Sequence, residues 1–378
     1  MKKTTALLVT ALASATAMAD INIGISLSTT GPGASLGIPE RNTVALLPKE
    51  VGGEKINYIV LDDATDSTAA AKNARKFVDE QRVDLIIASS TVPTSSVVAQ
   101  IARESRTPQI ALAPFAPTGD DKTWVFTVAQ TNELMASVLF EHMRANNVKT
   151  LGYIGYSDAW GDDWHAVLTS SAEAQGFTVI SNERFNRTDS SVAGQALRVN
   201  RGEPDAVLIG ATGTPAALPH TALRRLGYKG LIYHTHGAAN QSFLRIGGSA
   251  LEGAVLPVGP VVMWNQLPDS HPSKSVAAAY ARDYEAAHGE GSLSPFGAYL
   301  MDAGLLIERA AAVALQQAEP GTPAFRAALR DALESTRDLA GTHGVYNLSA
   351  EDHFGHDERA RVLIQVSNHQ WELLSAGD

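Results

Sequence analysis

Short runs of aliphatic and β-branched residues recur along the chain, each followed by a longer stretch whose apolar positions fall three and four apart. Ile21 to Leu27, Ile56 to Leu61, Asp84 to Ala88, Gln109 to Leu112, Thr150 to Ile154, Ala206 to Ile209 and Leu231 to His234 read as strands. They are continuous rather than alternating, the pattern of parallel strands covered on both faces. The intervening stretches read as helices. Asp66 or Ser67 can cap one in which Ala70, Ala74, Phe77 and Val78 share a face. Tyr299, Ala303, Leu306, Ala310 and Val313 repeat a spacing of four and three. Strand and helix alternating over the whole chain predict an α/β protein with parallel sheets, and not a sandwich or a bundle.

No internal repeat or low-complexity tract interrupts this alternation, so punctuation has to place the domains. Strand-like runs give way to polar or Pro/Gly residues around Thr127 to Asn132 and around Gly253 to Gly259, and a third break lies near Gly341 to Tyr346. Three such crossings predict two lobes, residues 20–130 with 261–343 and residues 131–260 with 344–378. They would be joined by a hinge of strands able to open and shut around a ligand.

The start of the chain has a different character. Met1-Lys2-Lys3 leads into an uncharged Ala- and Leu-rich run from Thr4, closed by Ala17-Met18-Ala19. This order of basic, apolar and small residues predicts a cleaved secretory signal peptide, with a mature protein beginning at Asp20 outside the cytoplasmic membrane. Cleavage leaves 359 of 378 residues and removes Lys2 and Lys3, taking the formal charge from −10 to −12. Such an acidic chain offers nucleic acid no electrostatic footprint. With no cysteine, thiol catalysis, iron–sulfur clusters and Cys-zinc sites are excluded.

Candidate chemistry gathers where strands end. The loop from Ser28 to Gly37 holds Gly31, Gly33 and Gly37 after the first strand. That spacing is one residue too long for a dinucleotide fingerprint, and Pro32 sits inside it, so a loop bordering a small-molecule cleft is the better reading. Ser89 to Ser96 is the densest hydroxyl cluster, set between a strand and a helix start. There it would either cap the helix or, with free N–H groups, cradle a carboxylate. Trp160 and His236 each follow a strand, which raises both from ordinary packed residues to candidates for ligand contact. His353-Phe354-Gly355-His356 is a weak metal candidate, since the intervening glycine suggests a turn. No H-E-x-x-H, G-x-S-x-G or P-loop is present.

Taken in order, Ile21 to Gly37, Leu61-Asp62-Asp63-Ala64-Thr65-Asp66 before an Ala-rich helix, the Ser-Ser-Thr-x-Pro loop, Gly176-Phe177 and Gly344-Val345-Tyr346 resemble the periplasmic branched-chain amino acid binding proteins of ABC importers. The resemblance runs over nearly the whole mature chain. It implies two Rossmann-like lobes joined by three strands (the type I periplasmic binding fold), a small carboxylate ligand, and delivery to a permease and its ATPase. It implies neither catalysis nor a cofactor, and a monomer is expected.

The binding positions depart from that family more than the fold does. The carboxylate-holding serine falls on Ala88, so Ser89 and Ser90 would serve after a one-residue shift. Ala113 matches a backbone-contact position, Phe115 stands in place of a Thr, Leu36 where an aromatic is common, and Trp160 in place of a Tyr; Thr212 completes the expected set. His236 stands where the amino acid binders carry the Glu that pairs with the ligand's ammonium. Histidine cannot replace it, because the neutral ring offers one weak acceptor and the protonated ring repels an ammonium. The expected ligand is therefore an acid without an α-ammonium, an aromatic or small aliphatic carboxylate, with Phe115 and Trp160 sandwiching a flat ring. Leucine, isoleucine or valine binding is the alternative. A ligand-sensing receptor domain and an exported enzyme are rival functions.

Overall fold

The computed structural model describes residues 20–376, so the expected signal peptide lies outside the described residues. One sheet contains β1 (Ile21–Leu27), β2 (Glu50–Val51), β3 (Glu54–Asp62), β4 (Leu85–Ala88), β5 (Gln109–Ala111) and β6 (Val125–Thr127), in the order β2-β3-β1-β4-β5-β6. All of its pairings are parallel except the short hairpin of β2 with β3. The second sheet contains β7 (Thr150–Tyr156), β8 (Thr178–Phe185), β9 (Ala206–Gly210), β10 (Leu231–His234) and β11 (Val255–Val258). A two-stranded ribbon of β12 (Leu339–Ala340) and β13 (Val345–Tyr346) follows, and then β14 (Val362–Ser367) and β15 (Gln370–Ser375) complete the second sheet. Its order is β15-β14-β11-β10-β9-β7-β8, parallel from β8 to β11 and antiparallel beyond.

All seven expected strands form, and the interior ones β4 and β9 are buried at every residue, as continuous apolar runs require. The edge strand β8 escaped the sequence reading. Its burial alternates over a polar sequence, so only one face is covered and no apolar run marks it. The antiparallel pair β14 and β15 also went unread.

Each sheet has its own core, one built on β1, β4 and the helix Pro295–Ala314, the other on β7, β9, β10 and β11. Asp66 caps the helix Ser67–Asp79 by accepting the Ala69 N–H at 2.7 Å, and Ala70, Ala74 and Phe77 are buried. In Pro295–Ala314 the stripe from Tyr299 to Ala310 is buried as expected, but the buried face continues through Ala311 and Ala314 and leaves Val313 at its edge, 42% exposed. The chain leaves the first core after β6, returns to it after β11 through the helix Pro295–Ala314, and leaves again between β13 and β14. Gln130 ties these passages together: its amide donates to the Ala360 carbonyl at 2.7 Å and its oxygen accepts the Tyr299 hydroxyl at 2.7 Å.

Candidate functional site

Parallel strands present their carboxyl edges on the same side, and the loops leaving those edges converge. After β4 come Ser90, Thr91 and Val92; after β5, Leu112, Ala113 and Pro114; after β7, Trp160; after β8, Arg187; after β9, Thr212; and after β10, His236 and Gly237. With Leu36, Phe296 and Tyr299 they line one cavity between the sheets, with about 340 Å³ of atom-free space when its open mouth is included.

Six of the eight expected residues meet there: Leu36, Ser90, Ala113, Trp160, Thr212 and His236. Ser89 does not. Its hydroxyl donates to Asp63 at 2.5 Å and its N–H to Ser95 Oγ at 2.9 Å, so it braces the loop behind the cavity wall. Phe115 also stays outside the lining. The backbone turns after Ala113, with the Phe115 N–H bonded to the Ala113 carbonyl at 2.7 Å, and the ring lies half-buried against the second core. The aromatic walls opposite Trp160 are instead Phe296 and Tyr299. The sequence did carry their signal, as the buried stripe of a helix, but that pattern reads as core.

The helix Val92–Ser105 starts at Thr91 with no side chain capping it, and both Thr91 and Val92 line the cavity. An uncapped helix start presents N–H donors and the positive end of the helix dipole to an anion. The glycine loop before it is fixed by close approach: a Cβ on Gly37 would lie 2.2 Å from the Ser28 carbonyl oxygen.

The opposite wall rests on Asp158, which caps the helix Ala159–Gln175 and accepts from Arg187 Nε at 2.6 Å. Arg187 also donates to Thr212 Oγ1 at 2.9 Å and lies 4.2 Å over the Tyr156 ring. Two of its five N–H donors are thereby used, and the rest of this guanidinium is available to the cavity it lines. Sequence reading missed Arg187 because it follows the unread strand β8.

His236 is buried 5.2 Å from Trp160 and 6.0 Å from Trp164, ring centre to ring centre. Among the described residues neither of its ring nitrogens has a hydrogen-bond partner, nor do the two indole nitrogens. Burial pushes its pKa down to about 3, which favours the neutral ring in the unliganded cavity. Gly237 beside it is required, since a Cβ there would sit 2.4 Å from Thr212.

His353 and His356 do not converge on a metal-like cluster. His353 Nδ1 donates to the Val125 carbonyl at 2.8 Å, Nε2 faces Glu334 at 3.2 Å, and the ring stacks on Phe126. His356 packs against Tyr346.

Two α/β lobes with facing carboxyl edges and a lined cavity between them define a ligand-binding clamshell. The chain belongs to the periplasmic binding protein family, which it matches over residues 20–367. It is similar to an extracellular ligand-binding receptor from Rhodopseudomonas palustris, with 46% identity and a TM-score of 0.93 over 94% of this chain and 99% of that one. A second such receptor, from Rhodopseudomonas palustris HaA2, is 45% identical with a TM-score of 0.93, over 94% of this chain and 100% of that one. The Leu/Ile/Val-binding protein BraC3 of Rhizobium johnstonii is 25% identical over 266 residues, 68% of this chain and 72% of that protein. Among the described residues no helix is long and apolar enough to cross a membrane.

Proposed function

We propose that the protein is exported to the periplasm, where it captures a small organic acid lacking an ammonium group, an aromatic acid by preference, and hands it to an ABC permease and its ATPase. The observation that carries this reading is the chemistry of the cavity: among the described residues its lining contains Arg187, whose Nε is held by Asp158 behind it, and no aspartate or glutamate. An amino acid would bring a buried ammonium with no counter-charge, a cost of several kcal/mol, whereas an organic anion meets a guanidinium and a helix start. Trp160, Phe296 and Tyr299 supply faces for a flat ring. Ser90, Ala113 and the Thr91 backbone are the contacts assigned to the carboxylate, and His236, Thr212 and Leu36 those assigned to the rest of the ligand.

Branched-chain amino acid binding is the second reading, favoured by similarity to BraC3, a Leu/Ile/Val-binding protein. A thermal-shift panel on refolded protein separates the two, comparing leucine, isoleucine and valine with benzoate, hydroxybenzoates, cinnamates and short aliphatic acids. Ligand at 100 times its dissociation constant adds about 2.7 kcal/mol of stability. Acids alone should shift the transition, and Arg187→Gln should weaken the shift; a response to leucine alone would overturn the proposal.

A further inference from the structure

Behind the cavity wall lies a carboxyl group that neither reading uses. Glu40 sits in the helix Ala34–Thr43, fully buried, and its side chain is hydrogen-bonded to Ser90 Oγ. Among the described residues it takes part in no ion pair; the acidic group nearest to it in effect is Asp63, itself buried. Asp63 is the better hydrogen-bonded of the two, accepting from the hydroxyls of Ser26 at 3.1 Å, Ser28 at 2.7 Å and Ser89 at 2.5 Å, and from the Thr65 N–H at 3.0 Å. One negative charge is thus stabilised by four donors, and a second beside it in the same dry region is disfavoured.

The consequence falls on Ser90, which lines the cavity. Its hydroxyl has one proton and two lone pairs, and one lone pair already accepts the Ser28 N–H at 2.9 Å. If Glu40 were ionised, the Ser90 proton would point back at it and the cavity would see only a lone pair, which repels an anion. If Glu40 keeps its proton and donates it, both lone pairs are filled and the Ser90 proton is left for the cavity. Resting on the organic-acid reading above, we infer that Glu40 is a positioning residue that turns the Ser90 hydroxyl into a donor for the bound anion. Burial and the neighbouring Asp63 both raise the Glu40 pKa well above the usual range, against the lowering effect of the Ser90 bond. The other titratable group facing it is Tyr280, from the helix Lys274–His288.

Infrared difference spectroscopy on the full chain tests this, with benzoate as the probe and calorimetry run beside it. Unliganded protein should show the carbonyl stretch of a protonated carboxylic acid that Glu40→Gln lacks, and benzoate should move that band. Glu40→Gln, whose amide can donate to Ser90 in the same way, should hold benzoate within about threefold of the natural protein, whereas Ser90→Ala should lose roughly tenfold. An unliganded band identical in the natural protein and Glu40→Gln would overturn the inference, as would a Ser90→Ala variant that binds benzoate normally. Should no acid bind while the Glu40 band is present, the organic-acid reading fails but the neutral state of Glu40 is supported. The two failures are therefore distinguishable.

Discussion

Replacing His236 with glutamate restores the group that the amino acid binders use and reverses the electrostatic preference of the cavity. For a ligand carboxylate held on the order of 9 Å or less from the new charge, Coulomb's law sets a lower bound on the repulsion. At an effective dielectric of about 20, two like charges 9 Å apart repel by about 2 kcal/mol, a loss of at least roughly 20-fold in acid affinity. A leucine ammonium would gain a partner of the kind whose removal from a buried pair costs about 3–5 kcal/mol. His236→Gln is the neutral control, since it fills similar space without charge. Titration calorimetry with benzoate and with leucine on the natural protein and both variants gives the readout. Benzoate binding should drop sharply in His236→Glu and far less in His236→Gln, with leucine binding emerging only in the glutamate variant. Unchanged benzoate affinity in His236→Glu, with no leucine signal, would refute the role assigned to this position.

Two further predictions concern stability. Asp66→Ala removes the 2.7 Å cap on the helix Ser67–Asp79 and should cost about 1 kcal/mol, roughly 2–4 °C in the melting temperature of a lobe of this size; benzoate affinity should not change, and a change would mean that helix reaches the site. The second concerns acid. Burial holds His234, His236 and His343 near about 3, His356 near about 4 and His220 well below its ordinary value. The unfolded chain binds protons at these groups below about pH 6.5 and the folded one does not, so stability falls as pH drops from 6.5, by up to about 2 kcal/mol per histidine between pH 7 and 5. Asp302 and Asp163, both pushed up to about 6, and Glu40 act in the opposite sense, taking protons first in the folded state. Asp84 is raised in the same way, while His142, His165 and His271 add to the lowered histidines; the histidines outweigh the acids, and the urea midpoint should be lower at pH 5 than at pH 7, so an equal or higher midpoint would contradict this balance.

Much of the fold was legible because burial on both faces leaves a one-dimensional trace. Continuous runs such as Leu85–Ala88 and Ala206–Gly210 mark interior parallel strands, and the start of the helix Ser67–Asp79 was legible to within the choice of Asp66 or Ser67 as its cap, which the structure gives to Asp66. Where only one face is covered the trace fades, which is why Thr178–Phe185 was missed and Arg187 with it. The site was legible as a set of strand ends. Ser90, Trp160 and His236 were picked out in this way, since parallel strands deliver their carboxyl ends to one edge, whereas Leu36 and Ala113 came from the family resemblance; all five line the cavity, as does Thr212.

What the sequence by itself determined about this protein is the alternation of strand and helix, the absence of thiol chemistry, and which loops stand at a common edge. Tertiary structure alone decided which side chains of those loops face inward. A one-residue difference in a loop turned Ser89 to Asp63 and Ser90 to the cavity, and a turn after Ala113 carried Phe115 away. Phe296 and Tyr299, from a helix more than a hundred residues distant from the other aromatic, Trp160, took the place expected of Phe115. Periodicity records which face of an element is apolar, but not whether that face meets a core or a ligand. That depends on where the partner surface ends, which is set by packing between segments remote in the chain.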